Sequence, residues 1–322
     1  MTMAKYIKEV GRGAAGARAL SRTDSTDALA QVLDRQASDF EVGAFVMALR
    51  MKGEALPELC GFLDAVHQRC QMLSSEQPVV IIPSYNGSRR LPNLTPLLAL
   101  ELARAGARVL VHGPEQRSAD TSARVSSQLI LYDLGLASAH TDAEVHAAWA
   151  RREPAFVNLA HVCRPLQDLL DLRWRLGVRN VGHTLAKMLL PVAGARCLRL
   201  VNYTHPEFGA LMTQWAQEEA VDAMVLRGTE GEAVTDPRRQ GRIDTYVAGQ
   251  HNAALSALPH EGVLTELPLL PRANDAATTA VYIQDVLAGE RPAPTPLTRQ
   301  VNAVLATLAL LQPQVSPQSL RA

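Results

Sequence analysis

The sequence predicts an α/β protein in which a helical amino-terminal region precedes a mainly parallel sheet. No strand candidate occurs before Val79, whereas short apolar runs alternate with helical segments after it. The clearest unit is VVII at 79–82, NLTPLLALELARAG at 93–106 and ARVLVHG at 107–113, which indicates strand, helix and strand. Such βαβ units build parallel sheets and place ligands at the carboxyl ends of the strands.

The amino-terminal helices carry their own boundary signals. The tetrapeptide SDFE at 38–41 is a capping box, so a helix is expected to begin at Glu41 or one residue earlier. Gly53 fits the end of that helix. A second helix is expected from about Leu56 to Met72.

Later segments continue the alternation of strands and helices. The expected elements are a helix around 122–134, a strand AFVNL at 155–159, a helical stretch at 161–190, strands CLRLVNY at 197–203 and AMVLRG at 223–228, and a final helix at 298–311. No internal repeat or low-complexity segment interrupts this order.

Charge is distributed unevenly along the chain although it sums to zero. The 322 residues contain 32 basic and 32 acidic side chains, so global basicity does not point to nucleic acid. Residues 81–124 contain six arginines and three acids, and residues 161–199 contain six arginines plus Lys187 and two acids. Residues 207–290 carry thirteen acids and five arginines. Such asymmetry is typical of a one-sided surface for a polyanion.

The cysteine pattern and the start of the chain predict a soluble cytoplasmic protein. Cys60, Cys70, Cys163 and Cys197 show no C-x-x-C spacing, which favours reduced thiols without a metal. The start MTMAKYIKEVGRG lacks the apolar core of a signal peptide, and no apolar run approaches the roughly 20 residues of a membrane span. No membrane partner is expected.

Four segments, in order along the chain, resemble anthranilate phosphoribosyltransferase, which belongs to a glycosyltransferase class that includes pyrimidine nucleoside phosphorylases. They are ALRMKGEALPELCGFLDA at 48–65, NLTPLLALELARAGARVLVHG at 93–113, LRWRLGVRN at 172–180 and HPEF at 205–208. The resemblance covers nearly the whole chain.

The resemblance implies a small all-helical domain beside a larger α/β domain with a mainly parallel central sheet. The helical domain would comprise residues 1–73 and a helical insertion at about 163–188. The α/β domain would comprise residues 74–162 and 189–322. A homodimer formed through the helical domains is also implied.

The segments that hold substrate in that family are altered here. The family's G-T-G-G-D turn, whose amides bind pyrophosphate, corresponds to residues 84–88, and its K-H-G-N-R segment corresponds to VHGPE at 111–115. The acidic stretch that holds magnesium meets Glu230-Gly231-Glu232, so Glu230 and Glu232 are only weak metal candidates. We therefore expect no cofactor, and magnesium only if the protein is an enzyme.

Some features of the family remain and motivate an enzyme alternative. Asn93 and Thr95 fit the family's N-x-S/T at a helix N-terminus, where they would hold one phosphate, and Arg173 matches the arginine that meets the anthranilate carboxylate. The alternative is a divergent phosphoribosyltransferase acting on a nucleobase-like acceptor. A regulatory or scaffolding subunit of the tryptophan pathway is a further alternative, which no residue specifically supports.

Three other segments resemble the YbiB-like branch of this fold: PSYNGSRRLPNLTP at 83–96, VRNVGHTLAK at 178–187 and RGTEGE at 227–232. This resemblance implies nucleic-acid binding without phosphoribosyltransferase activity. We therefore expect sequence-tolerant binding of single-stranded DNA or RNA, with duplex binding left open. The binding surface would be an arginine-lined groove between the helical and α/β domains of the dimer.

We assign no catalytic residue, because His112 and His183 have no neighbouring nucleophile in the sequence. Stacking on a base is favoured only for Tyr85, since burial is the commoner fate of a single tryptophan such as Trp174. The candidates for binding nucleic acid or phosphate are Tyr85, Asn86, Gly87, Arg89, Arg90, Asn93, Thr95, His112, Arg117, Arg164, Arg173, Arg179 and Lys187.

Overall fold

The amino-terminal part of the computed structural model is helical, as predicted. The structure describes residues 2–13, 15–115 and 124–312. The first helices are α1 (Ala4–Val10), α2 (Arg22–Leu33), α3 (Asp39–Lys52) and α4 (Leu56–His67). The predicted capping box begins α3: the Ser38 hydroxyl accepts from the Glu41 amide at 3.4 Å, and the Glu41 carboxylate accepts from the Ser38 amide at 2.9 Å.

The second predicted helix is shorter than expected, because α4 ends at His67 and not at Met72. The Gln71 amide donates to the Val162 carbonyl at 2.7 Å instead of continuing the helix. The next residues form β1 (Leu73–Ser74), which pairs in parallel with β6 (Val192–Ala193). These long-range bonds override the local helical pattern.

An eight-stranded sheet forms the centre of the larger part. Its strands are β2 (Val79–Pro83), β3 (Arg108–Gly113), β4 (Ser138–Ala139), β5 (Ala155–Asn158), β7 (Cys197–Tyr203), β8 (Ala223–Arg227), β9 (Ile243–Val247) and β10 (Gln250–His251). The spatial order is β10-β9-β8-β7-β2-β3-β5-β4. The pairs β8–β9 and β9–β10 are antiparallel and the other neighbours are parallel. The predicted fold class is confirmed.

The central strand β2 separates two hydrophobic cores. The helices that follow it are α5 (Thr95–Arg104), α6 (Ser127–Asp133), α7 (Asp142–Ala150), α8 (Leu159–Val162), α9 (Arg164–Leu176), α10 (Gly182–Met188), α11 (Pro206–Glu218), α12 (Ala276–Leu287) and α13 (Thr295–Leu311). Val79 and Ile81 join the core of α2, α4 and α9, whereas Val80 and Ile82 join the core of α5, α12 and α13. Alternate side chains of a strand point to opposite faces, so an uninterrupted apolar run serves both cores.

Helices α9 and α10 pack with the amino-terminal helices. Leu166, Leu169 and Leu185 lie in the same buried cluster as Phe45 and Leu59. Gly177 ends α9 in the left-handed region, with φ of 74°. This packing holds the arginines of α9 beside the edge of the sheet where the parallel strands end.

Other element boundaries differ from the sequence predictions. The last helix begins at Thr295 and not at Thr298, and α6 begins at Ser127, while residues 122 and 123 of the predicted helix lie outside the described residues. The antiparallel strands β9 and β10 were not predicted. Among the described residues, no helix is both long and apolar enough to cross a membrane.

Candidate functional site

A cleft of about 540 Å³ lies between α9 and the loops that follow β2, β3 and β5. We call it the first cleft. Its sheet side is formed by residues 84–87, Pro114, Glu115, Arg124, Ser126, Asn158 and Ala160, and its helical side by Arg164, Gln167, Leu170, Asp171, Arg173, Trp174 and His183. This is the end of a parallel sheet at which ligands are expected.

A buried carboxylate from the same chain occupies the loop after β2. The Oε1 atom of Glu232 accepts from the backbone amides of Asn86 at 2.8 Å and Gly87 at 2.7 Å. Its Oε2 atom accepts from the Ser84 hydroxyl at 2.6 Å and from the Thr95 hydroxyl at 3.4 Å. Burial raises the pKa of Glu232, and these four donors oppose that rise. The amides that would cradle an anion are therefore already bonded.

A second carboxylate holds the rest of the loop. Glu230 accepts from the amides of Arg89 at 3.0 Å, Arg90 at 2.7 Å and Leu91 at 2.8 Å. Glu230 and Glu232 were expected to be weak metal candidates. The structure gives both side chains a different task, because their oxygens accept from five backbone amides of one loop.

The predicted phosphate site at the start of α5 is not open. Asn93 and Thr95 are 1% and 0% exposed. The Asn93 side chain donates to the Val125 carbonyl at 3.2 Å and the Ser127 hydroxyl at 3.1 Å. The polar groups of these two residues bond to neighbouring loops and to Glu232, and their contact with phosphate stays a prediction.

Tyr85 and His112 were also predicted to meet the ligand, and the structure buries both. The Tyr85 hydroxyl is hydrogen-bonded to Nδ1 of His112, and the two rings meet edge to face. Complete burial lowers the pKa of His112 to about 3, so the ring is neutral at pH 7. Tyr85 still contributes to the lining of the first cleft, whereas His112 does not, and the contact of both residues with a ligand stays a prediction.

Arg124 and Arg173 line the first cleft, and Arg179 lies near enough for the charges of both to act on it. Burial, followed by the charges of Arg173 and Arg124, lowers the pKa of Arg179 to about 10. Burial and the charge of Arg179 lower the pKa of Lys187 to about 8. Burial, followed by the charges of Arg179 and Arg173, lowers the pKa of His183 to about 3. These groups repel one another, so an anion placed among them would be stabilised.

Acidic partners for these basic residues are few. Arg124 lies 3.8 Å from Glu230, and its guanidinium donates to the Gly87 carbonyl at 2.9 Å. Within the described part of the chain, no carboxylate comes within 4.0 Å of Arg173, Arg179 or Lys187. Arg124 was not predicted as a site residue, since its place in the cleft depends on how residues 124–127 fold back over the loop after β2.

The other predicted cations occupy different settings. Arg89 and Arg90 are exposed on the loop that Glu230 holds. Arg164 lines the first cleft but is paired with Asp168 at 2.7 Å. Arg117 lies outside the described residues.

Trp174 was expected to be buried and is instead 49% exposed in the first cleft. The Arg173 guanidinium lies 4.5 Å from the centre of its ring. The spacing of Arg164, Gln167, Asp171 and Trp174 places them on one face of α9. That polar face is a signal in the sequence from which the exposure of Trp174 could have been predicted.

This architecture, a helical bundle beside a mainly parallel sheet, is that of the anthranilate phosphoribosyltransferase superfamily. Residues 4–70 match the helical bundle domain of a glycosyl transferase family. The chain is 35% identical over 308 residues to the Escherichia coli K12 protein YbiB, and the match covers 95% of this chain and 94% of that protein. The chain therefore belongs to the YbiB-like branch of the superfamily, and the resemblance seen in the sequence is confirmed.

Enzymes of the superfamily are more distant relatives. Anthranilate phosphoribosyltransferase of Symbiobacterium thermophilum is 25% identical over 316 residues, which cover 94% of this chain and 88% of the enzyme. The Thermus thermophilus enzyme superposes with a TM-score of 0.67 at 18% identity, covering 97% of this chain and 94% of that chain. The Saccharomyces cerevisiae enzyme in complex with PRPP and Mg gives 0.69 at 15% identity, covering 96% and 89%. These two structures share the fold of this chain.

Proposed function

We propose that the protein binds single-stranded nucleic acid through its phosphate backbone, without sequence preference, in the first cleft. The observation that carries this proposal is the pair of Arg124 and Arg173 in the lining of the first cleft, with Arg179 close enough for their charges to lower its pKa. A chain of phosphates crossing the cleft would neutralise several of these charges at once.

The aromatic content of the cleft favours an unpaired strand. Trp174 presents an exposed ring beside Arg173. Every base has a π face, so stacking on an exposed ring tolerates all sequences. A duplex keeps its bases stacked on one another and would not use this ring.

The hydrogen bonds of the loop after β2 disfavour the enzyme alternative. A phosphoribosyl pyrophosphate would need backbone amides that Glu232 and Glu230 already bond. Displacing a carboxylate that is fully buried would leave it without its donors. We infer that this loop acts as a rigid support for Arg89 and Arg90 and does not cradle a small substrate.

We also propose a cytoplasmic homodimer, as the family resemblance implies. Phe40 and Met51, at the two ends of α3, are 91% and 80% exposed. Large apolar side chains left in water favour association with another surface. The exposed side chains support a contact through the helical domain.

The test is fluorescence anisotropy of labelled single-stranded oligonucleotides of several sequences, with phosphoribosyl pyrophosphate and magnesium as competitor. We expect similar affinities for all sequences and no competition. The double variant R173A/R179A should weaken binding by about tenfold or more, since it removes two charge-assisted contacts. R175A is the matched control, because Arg175 is an exposed residue of α9 that pairs with Asp39 and does not line the cleft.

Two results would overturn the proposal. The first is no binding of any oligonucleotide at low salt. The second is equal binding by the wild type and R173A/R179A. Competition by phosphoribosyl pyrophosphate with magnesium would instead favour the enzyme alternative.

A further inference from the structure

A second cleft, of about 980 Å³, lies next to the loop that borders the first cleft. Residues 84–87 line the first cleft, and Arg90 and Leu91 line the second, so the loop runs between the two. The first turn of α11 and the segment 236–242 form other walls of the second cleft. Among the residues predicted to bind nucleic acid or phosphate that the structure describes, Arg90 is the one that lines this cleft.

Five arginines line the second cleft: Arg90, Arg227, Arg238, Arg239 and Arg242. All except Arg90 come from residues 207–290, the segment with the largest acidic excess in the sequence. The fold therefore gathers the few arginines of an acidic segment at one place. The wall of the second cleft is therefore positive, although residues 207–290 carry a net negative charge.

The acids of this cleft neutralise only part of that charge. Asp236 pairs with Arg238 at 3.0 Å and lies 4.0 Å from Arg239, and Asp244 pairs with Arg242 at 2.7 Å. The third lining carboxylate, Glu230, accepts from the loop amides described above.

Two of the arginines remain available to a ligand. Arg90 and Arg227 are exposed, and no carboxylate of the described residues lies within ion-pair distance of either. One guanidinium group can donate two parallel hydrogen bonds to the oxygens of a phosphate, so this wall suits phosphate groups.

We propose that the second cleft binds phosphates of the same nucleic-acid strand that occupies the first cleft. This inference rests on the proposed function. The loop supports a continuous path, because Glu230 fixes the amides of Arg89 and Arg90 while both side chains stay exposed between the clefts. A strand that leaves the first cleft over this loop meets Arg90 and then Arg227.

The experiment compares short and long oligothymidylates, of about 4 and about 16 nucleotides, which bracket the site sizes of single-strand-binding folds. The test variant is R227A/R239A, since both side chains are exposed and the Asp236 contact of Arg239 is long. The control is R151A/R291A, which removes two exposed arginines that line neither cleft and pair with Glu153 and Asp285.

We expect R227A/R239A to bind the short oligonucleotide like the wild type and the long one about tenfold more weakly. The slope of log affinity against log salt should fall by about 1.4 for the long oligonucleotide only, because two phosphate contacts are lost. R227K/R239K should recover most of the affinity, whereas the control should match the wild type.

Equal binding of the long oligonucleotide by R227A/R239A and wild type would overturn this inference while leaving the proposed function intact. Equal weakening for both lengths would also overturn it, because the second cleft would then act through the first. Failure of the wild type to bind either oligonucleotide would refute the proposed function itself, and this inference with it.

Discussion

The carboxylate of Glu232 determines what the loop after β2 can bind. It accepts two backbone amides and two hydroxyls while fully buried. A glutamine keeps the size of the side chain but turns an NH₂ group toward some of these donors. The side chain of Glu232 is therefore part of the structure of this loop.

We predict that E232Q destabilises the protein by about 2–4 kcal/mol, because charge-assisted hydrogen bonds are lost and buried donors are left unpaired. Urea unfolding followed by circular dichroism measures the change. E76Q, at an exposed position, is the control. A change below about 0.5 kcal/mol in E232Q would show that the loop holds its shape without this charge.

At Lys187 the proposed binding of phosphate and the stability of the fold make opposite demands. Its ammonium is surrounded by protein and donates to the Asn202 carbonyl at 3.2 Å, and burial lowers its pKa to about 8 from 10.5. The unfolded chain therefore binds more protons than the folded chain between pH 8 and 10.5. Stability should rise with pH across this window, since the proton that costs stability is lost.

We predict that K187M gains about 1–3 kcal/mol of unfolding free energy at pH 7 and loses affinity for single-stranded oligonucleotides. The gain should vanish as the pH approaches 10.5. Thermal unfolding at a series of pH values measures it, and K8M, at an exposed lysine, should show no such dependence. A pH-independent difference between K187M and the wild type would exclude titration of Lys187 as the cause.

At the scale of elements, sequence signals that act within a few residues correctly predicted a helix start and the buried strands. The capping box at Ser38 and the apolar runs of β2, β3, β5, β7 and β8 all correspond to observed elements. The strand β9 was missed because IDTYV carries Asp244 and Thr245 among its apolar residues. The predicted end of α4 was wrong, because the Gln71 amide donates a hydrogen bond to the carbonyl of Val162, which is distant in the sequence.

Five residues predicted for the site line the first cleft, and they come from one loop and one helix: Tyr85, Asn86, Gly87, Arg164 and Arg173. The bond from Asn86 to Glu232 joins residues 146 positions apart, and no local pattern reports it. Burial of Tyr85 and His112 likewise depends on packing between elements.

The polar face of α9 gives a prediction of its own, carried by Trp174. W174A should weaken binding of single-stranded DNA by about 1–3 kcal/mol, the contribution of one stacked base, and W174F should keep most of the affinity. Binding should also quench tryptophan fluorescence, because Trp149 and Trp215 are buried and Trp174 is the exposed one of the three. Unchanged affinity in W174A would leave the cleft purely electrostatic.

At the scale of the whole molecule, a net charge of zero removes long-range attraction to a polyanion. Binding must then arise from local charge, and its salt dependence counts the phosphates that local cations neutralise. If Arg89, Arg90, Arg173 and Arg179 each meet one phosphate of a single strand that does not reach Arg227 and Arg239, the slope of log affinity against log salt is about −2.8. A slope near zero would contradict backbone recognition altogether.

The variant R89A/R90A tests whether the loop between the clefts contributes to that slope. Alanine keeps the backbone amides that Glu230 accepts, so the loop should hold its shape while two cations are removed. We predict weaker binding of every sequence and a slope of about −1.4, measured by anisotropy between low and moderate salt. An unchanged slope and affinity would place the strand away from this loop, and a loss confined to one sequence would mean that the arginines read bases instead of phosphates.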